Sequence, residues 1–242
     1  MLGLPDAVTA CLFDLDGVLT QTAIVHDAAW AQVFDEFLAG RDGPSFVPFD
    51  QAADYNAYVD GRPRADGVRT FLASRGITLP EGAPADPPSA TTVNGLGNRK
   101  NEVLLRLIHG QGVAPYPGSV RFLTAARAVG LRRAVVSASA NCAEVLAAAD
   151  LTDLIEVRVD GIVAAEQHLR GKPAPDTFLA AARALGVPPE QAAVFEDAVA
   201  GVAAGRAGGF AAVVGVDRVG HADALRANGA SIVVTDLAEL IA

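Results

Sequence analysis

The stretch VTACLFDLDGVLT, residues 8–20, decides how the rest of the chain is read. An apolar run reaches Phe13 and is broken by Asp14-Leu15-Asp16-Gly17. A run this short, ending in acids and glycine, is expected to be a buried strand, and two carboxylates two residues apart on a strand point to the same face. Open sheets covered by helices bind ligands at the carboxyl ends of their strands, so both acids are expected at a ligand-binding edge. Taken alone, the motif reads first as a strand-ending turn with solvated acids.

Further apolar runs share this form. Val8 to Leu15, Leu131 to Ser137, Ala192 to Phe195, Phe210 to Val216 and Ser231 to Val234 are candidate buried strands, alternating with helical stretches at Val120 to Val129, Glu144 to Ala149, Ala198 to Gly208 and Ala222 to Ala227. Pro175 opens another helix, which stops at Gly186 by the usual Pro-start and Gly-end asymmetry. Strand and helix in alternation predict an α/β fold with a parallel sheet. From about Thr20 to Gly112 the rhythm changes to amphipathic helices, at Asp27 to Leu38, Val68 to Ser74 and Asn98 to Ile108. That stretch is expected to be an all-helical insertion, with the Pro-rich Pro80 to Thr92 as a surface loop within it. The domains expected are therefore residues 1–19 with 113–242, and residues 20–112.

Two more strand ends and one loop carry chemistry. Val194-Phe195 runs into Glu196-Asp197, so a second pair of acids joins the first, and carboxylates about 4 Å apart repel by roughly 4 kcal/mol at an effective dielectric of 20. A hard divalent cation relieves that repulsion, and Mg²⁺ commonly takes one or two carboxylates with phosphate and water. Val135-Val136 leads into Ser137-Ala138-Ser139, where hydroxyls and free N–H groups at a helix start suit an anion; Ser139 or Asn141 is also a candidate cap for that helix. Lys172-Pro173 holds a lysine in a loop. Only two lysines, Lys100 and Lys172, occur among many arginines, so each suggests a position that wants a compact ammonium.

The net charge of −9 argues against nucleic acid and anionic membrane as partners. The N-terminus lacks a basic start and meets Asp14 too early for an export signal or spanning segment. Cys11 and Cys142 are far apart, without a second thiol at metal-ligand spacing, and are expected to be reduced and structural. A cytoplasmic monomer acting on a small molecule is expected.

DLDGVLT, Ser137, Lys172-Pro173 and Glu196-Asp197, in that order at successive strand ends, resemble the four-motif signature of the haloacid-dehalogenase superfamily. The resemblance spans the chain and implies a Rossmann-like parallel sheet core with an inserted all-helical cap domain. It implies Asp14 as nucleophile, Asp16 as general acid and base, and Ser137 and Lys172 as holders of the phosphoryl oxygens. Mg²⁺ would lie on the Asp14 side chain, the Asp16 main-chain carbonyl and Asp197, with Glu196 assisting.

Finer features resemble the β-phosphoglucomutase-like subfamily: Thr20, Thr22, His26 and Trp30, then Gly61-Arg62-Pro63-Arg64, Lys100-Asn101, Tyr116-Pro117-Gly118 and Ser137-Ala138-Ser139-Ala140-Asn141. This implies a phosphosugar site with Arg64 on the distal phosphate, Lys100 and His26 orienting the cap, and Thr22, Trp30, Gly61, Ala138, Ser139 and Asn141 completing the substrate contacts. Trp30 and His26 also suit interior positions of a helical domain. Gln21 stands where many relatives have an acid, and Ala140 where a lysine is usual. The activity implied is interconversion of β-glucose 1-phosphate and glucose 6-phosphate through β-glucose 1,6-bisphosphate; a phosphatase using the same residues is the alternative, and a catalytically inert binding module is disfavoured because every motif position is filled.

Overall fold

In the computed structural model, which describes residues 2–241, the run ending at Phe13 forms strand Ala10–Phe13 (β1), with all four residues buried. Covered on both faces, such a strand has no solvent side and needs no polar alternation. Arg132–Val136 (β2), Val157–Val159 (β3), Ala192–Glu196 (β4), Ala212–Val216 (β5) and Ile232–Val234 (β6) join it in one parallel sheet of order β3-β2-β1-β4-β5-β6. Phe13 lies in register with Val135 on one side and Phe195 on the other. The strand order reverses between β1 and β4, so the loops leaving these two neighbours diverge and open a crevice at their carboxyl ends.

The sheet unit comprises Met1–Gln21 and Val113–Ala242. Its helices are Pro117–Ala128 (here αD), Cys142–Ala148 (αE), Gly161–Glu166 (αF), Asp176–Leu185 (αG), Val199–Ala207 (αH) and Ala222–Asn228 (αI). Helix αG starts after Pro175 and ends at Gly186, whose φ of 71° is the left-handed geometry that a glycine cap adopts without a Cβ penalty. Phe178, Ala181, Ala182 and Leu185 of αG share a buried cluster with Leu12, Ala134, Val136 and Val194. Elsewhere in the core Phe13 stacks on Phe195 at 4.5 Å between ring centroids, and Phe122 closes on both rings at 6.0 and 5.2 Å.

Three differences from the sequence reading have physical causes. β1 ends at Phe13 rather than Leu15, because the backbone turns: Leu19 and Thr20 both donate to the Leu15 carbonyl, and Gly17 N–H donates to Thr20 O. Asp16 is therefore on a turn, and the argument that two strand acids share a face does not place it. β3 was not expected, since Glu156-Val157-Arg158-Val159 has no apolar run; as a short edge strand beside β2 it tolerates charge. αF was also missed, although Asp160 caps it by accepting from Ile162 N and Val163 N.

The second unit, Thr22–Gly112, is helical, with Ala23–Asp42 (αA), Arg64–Ser74 (αB) and Val93–Gln111 (αC), and a π-helical turn at Tyr55–Val59. Its core gathers Trp30, Phe34, Phe49 and Phe71 at centroid distances of 4.1–5.4 Å. The boundary lies after Gln21 rather than after residue 19, because Thr20 bridges to Pro115 and Gln21 N–H donates to Ala114 O. The Pro-rich loop is tied to αC: Asn98 Nδ2 donates to Pro84 O and Asp86 O, and Arg99 Nε to Pro88 O. Among the described residues no helix is long and apolar enough to cross a membrane.

Replacing Phe195 with Ala removes the ring on which both Phe13 and Phe122 pack. The expected loss is about 3–5 kcal/mol of unfolding free energy. Urea denaturation followed by circular dichroism measures it, and an unchanged midpoint would show that the aromatic cluster is not the packing centre described.

Candidate active site

Because the strands are parallel, the residues after β1, β2 and β4 emerge on one edge. Asp14 N–H donates to Phe195 O at 2.9 Å, carrying the β1–β4 ladder one residue past the strand and fixing the Asp14 backbone. Glu196 ends β4 and Asp197 follows it. Asp14, Glu196 and Asp197 each offer a carboxylate oxygen, and these atoms lie within 4.8 Å of one another. All three residues are buried.

Lys172 reaches this cluster from the loop before αG. Its Nζ lies 2.5 Å from Asp14 Oδ1 and 2.5 Å from Glu196 Oε1, and donates to Val136 O at 3.1 Å. The ammonium thus donates to Asp14 and to the Val136 carbonyl while pairing in charge with Glu196, a compact arrangement unsuited to the planar fork of arginine. The ammonium also sits 5.0 Å from the Phe178 ring centroid. Burial opposes its charge, but Asp14 and Glu196 outweigh burial and push its pKa up, so Lys172 stays protonated. Asp14 is driven the other way from an ordinary carboxylate: burial raises its pKa, Lys172 opposes, and Glu196 and Asp16 raise it further.

One ammonium leaves three clustered carboxylates short of positive charge. The set fits a hard divalent cation, which takes oxygen ligands and would favour the ionised form of Asp14. Glycines keep the surroundings open. A Cβ at Gly17 would overlap Asp197 Oδ2, and one at Gly201 would overlap the Glu196 carboxylate. Gly17 also has φ of 84°, a backbone conformation that side-chain-bearing residues rarely adopt. The side chain of Asp16 is not in this cluster, and the ligand expected from that residue is its carbonyl.

Ser137 is buried at the end of β2, and its N–H donates to Val159 O. Its Oγ accepts from Ser139 N at 3.0 Å, and Ser139 Oγ accepts from Asn141 N at 3.1 Å. Acceptor lone pairs are used in folding the loop, which leaves each hydroxyl its proton to donate to an anion. Asn141 is the cap residue of αE but makes no side-chain capping bond. Gly161 packs against the same loop, with its Cβ position 2.9 Å from Ala138 O and 3.0 Å from Ala140 N, so this turn has no room for a larger residue. Ala140 itself is exposed.

Within the helical unit, His26, Trp30 and Lys100 come together. Lys100 Nζ is 3.0 Å from His26 Nδ1 and 5.0 Å from the Trp30 ring centroid. An ammonium only donates, so Nδ1 is the acceptor and the imidazole carries its proton on Nε2. Trp30 serves two purposes, stacking on Phe34 at 4.9 Å while facing the ammonium. Thr22 is buried at the start of αA, and its carbonyl accepts from His26 N. Gly61 makes a left-handed turn at φ 68° just before αB. Arg64 opens αB and donates from Nη2 to Asn98 Oδ1 at 3.0 Å; burial pushes its pKa down. Gly97 lets it lie across αC, since a Cβ there would be 3.2 Å from Arg64 Cγ.

The sequence reading missed the residues that brace the acidic loops. Arg218 Nε donates to Gly17 O at 2.9 Å, Ser119 Oγ to Val18 O at 2.6 Å, and His221 Nε2 lies 2.9 Å from Asp197 O. The available signal was position alone: residues 217–221 follow an apolar run, at the same sheet edge as the acids.

Residues 8–209, which carry both acidic strand ends and the buried lysine, match the haloacid dehalogenase-like hydrolase family model, and the chain belongs to that family. Within it, the chain is 58% identical to a β-phosphoglucomutase of Mycobacterium bovis, over all of this chain and 94% of that protein. A β-phosphoglucomutase of Bacillus subtilis is 31% identical over 84% of this chain and 81% of its own length. The crystal structure of a β-phosphoglucomutase from Clostridium difficile superposes with a TM-score of 0.74 at 26% identity, covering 96% of this chain and 93% of that one.

If the three carboxylates hold a divalent cation, Mg²⁺ stabilises the folded chain, by about 2.7 kcal/mol at a hundred times its dissociation constant. Thermal melts with EDTA and with excess Mg²⁺ are expected to differ for wild type and to converge for Asp197→Asn. An equal Mg²⁺ shift in both proteins would remove Asp197 from the ligand set.

Proposed function

We propose that the chain is a Mg²⁺-dependent phosphomutase that interconverts β-D-glucose 1-phosphate and glucose 6-phosphate through β-glucose 1,6-bisphosphate. The observation that carries this reading is the 58% identity to a β-phosphoglucomutase over the full chain, which spans both units rather than the sheet motifs alone.

In this reading an Asp14 carboxylate oxygen attacks phosphorus, the bond to the sugar oxygen breaks, and Asp16 gives that oxygen its proton. Glucose 6-phosphate leaves when the 1-phosphoryl group is the one transferred, β-glucose 1-phosphate binds with its 6-hydroxyl toward the aspartyl-phosphate on Asp14, and the bisphosphate formed turns end for end before the next cycle. Asp16, now a carboxylate, takes the proton of the incoming hydroxyl as that oxygen attacks phosphorus and frees Asp14. Phosphoryl transfer needs chiefly alignment and neutralisation of the equatorial oxygens. Lys172 and the Ser137 hydroxyl provide both, and Lys172 also orients the nucleophile through its contact with Asp14. Asp14, the Asp16 carbonyl and Asp197, with Glu196 in support, would hold Mg²⁺, which supplies further positive charge to the transferring group.

Arg64 is assigned to the distal phosphate, and its partial burial favours a charged ligand that restores its solvation. Lys100, His26 and Trp30 form the orienting group of the helical unit, with Thr22 and Gly61 beside them in sequence role, and Ala138, Ser139 and Asn141 complete the contacts on the sheet unit. A monomer acting on a phosphosugar is the proposed form. The cytoplasm is the proposed setting, where thiols such as the buried free Cys11 and Cys142 stay reduced.

Two measurements test this. Asp14→Asn is expected to fold normally and lose turnover, because an amide keeps the shape but cannot attack phosphorus; near-wild-type activity would end the nucleophile assignment. With β-glucose 1-phosphate and bisphosphate primer, wild type is expected to form glucose 6-phosphate with little free phosphate, and Lys100→Ala to shift the ratio toward phosphate. Wild type that releases phosphate and makes no glucose 6-phosphate would make the protein a phosphatase.

A further inference from the structure

The two acids assigned to chemistry are held by different means. Asp14 is fixed by a sheet hydrogen bond to Phe195 and by Lys172. Asp16 sits on the turn beyond the ladder, where the following carbonyls, Gly17 O, Val18 O and Leu19 O, need partners from elsewhere. Val18 O takes the Ser119 hydroxyl at 2.6 Å, and Leu19 O takes Tyr116 N–H at 2.9 Å. Gly17 O, the carbonyl next to Asp16, takes Arg218 Nε at 2.9 Å.

Arg218 is well placed to hold that carbonyl still. Its Nη1 donates to Thr235 O at 2.7 Å, and its guanidinium lies 3.6 Å from the Tyr116 ring centroid. Nη2 approaches Val18 O at 3.5 Å. The loop that bears it is folded on Asp217, whose carboxylate accepts from Gly220 N, His221 N and Ala222 N at 2.7, 2.8 and 3.2 Å. A planar fork with fixed donors and an aromatic face beneath it transmits position in a way that a flexible ammonium does not.

We infer that Arg218 is a positioning residue for acid–base chemistry, aiming Asp16 at the bridging oxygen while leaving Asp14 where the sheet puts it. The inference rests on the proposed roles of Asp14 and Asp16. Its consequence depends on the leaving group. A sugar oxygen departs with a proton from Asp16 as the Asp14–phosphorus bond forms and the phosphorus–oxygen bond breaks. Acetate leaves acetyl phosphate as a stable anion and requires no proton, so Asp14 becomes phosphorylated without Asp16.

The experiment compares both donors in wild type, Arg218→Met and Arg218→Lys in the presence of Mg²⁺, with folding checked by circular dichroism and thermal melting. Phosphorylation by acetyl phosphate is followed by intact-protein mass, and sugar turnover by kcat and KM. Arg218→Met is expected to keep acetyl phosphate reactivity within about twofold and to lose kcat for the sugar by about ten- to a hundredfold, with KM changed by less than about threefold. Arg218→Lys is expected to recover part of the sugar rate, and carries the same comparison if Arg218→Met does not fold. Equal loss with both donors, or loss with neither, overturns the inference while the function stands. Wild type that takes no phosphoryl group from either donor overturns the assignment of Asp14, and this inference with it.

Discussion

Lys172 Nζ sits 2.5 Å from oxygens of both Asp14 and Glu196, in a place where almost no water reaches. Without that ammonium, the carboxyl edge of the sheet would bring buried acids together unpaired; removing one partner of a buried ion pair typically costs about 3–5 kcal/mol. With it, the charge is still incomplete, since one cation faces three carboxylates. The site therefore folds with a standing preference for more positive charge. The same preference suits a phosphoryl-transfer centre, which must hold a metal and gather oxygens that are themselves negative.

The rest of the sheet unit follows from placing those groups. Parallel pairing sends the ends of β1, β2 and β4 to one edge, and the reversal of strand order between β1 and β4 opens the crevice there. Close approach then decides the small residues. Gly17 and Gly201 stand where a Cβ would strike Asp197 and Glu196, and Gly161 where one would crowd the Ser137 loop. Precision comes from rigid partners: a sheet hydrogen bond for Asp14, and the Arg218, Ser119 and Tyr116 contacts for the turn that carries Asp16.

Much of this was legible in the chain because the central strands are buried on both faces. Their apolar runs stand out, and the acids, serine and lysine that end or follow them are conspicuous by contrast. β3 was illegible for the opposite reason, since an edge strand with Glu156 and Arg158 lacks that signature. The turn after Phe13 was misread as strand because a two-residue alternation, Asp14-Leu15-Asp16, is common to both. His26, Trp30 and Lys100 were named by resemblance, and the structure brings them together. Arg218 and His221 bind main-chain carbonyls, and a carbonyl is present at every residue, so no pattern in the sequence marks their targets.

In the proposed function Asp14 carries the phosphoryl group between two sugar oxygens. The most direct test is to quench the enzyme in acid during turnover with β-glucose 1,6-bisphosphate and map the phosphorylated peptide by mass spectrometry. A single phosphoryl group on the carboxylate of Asp14 is expected. A phosphoryl group on any other residue, or turnover with no phosphorylated enzyme at any time, would contradict it.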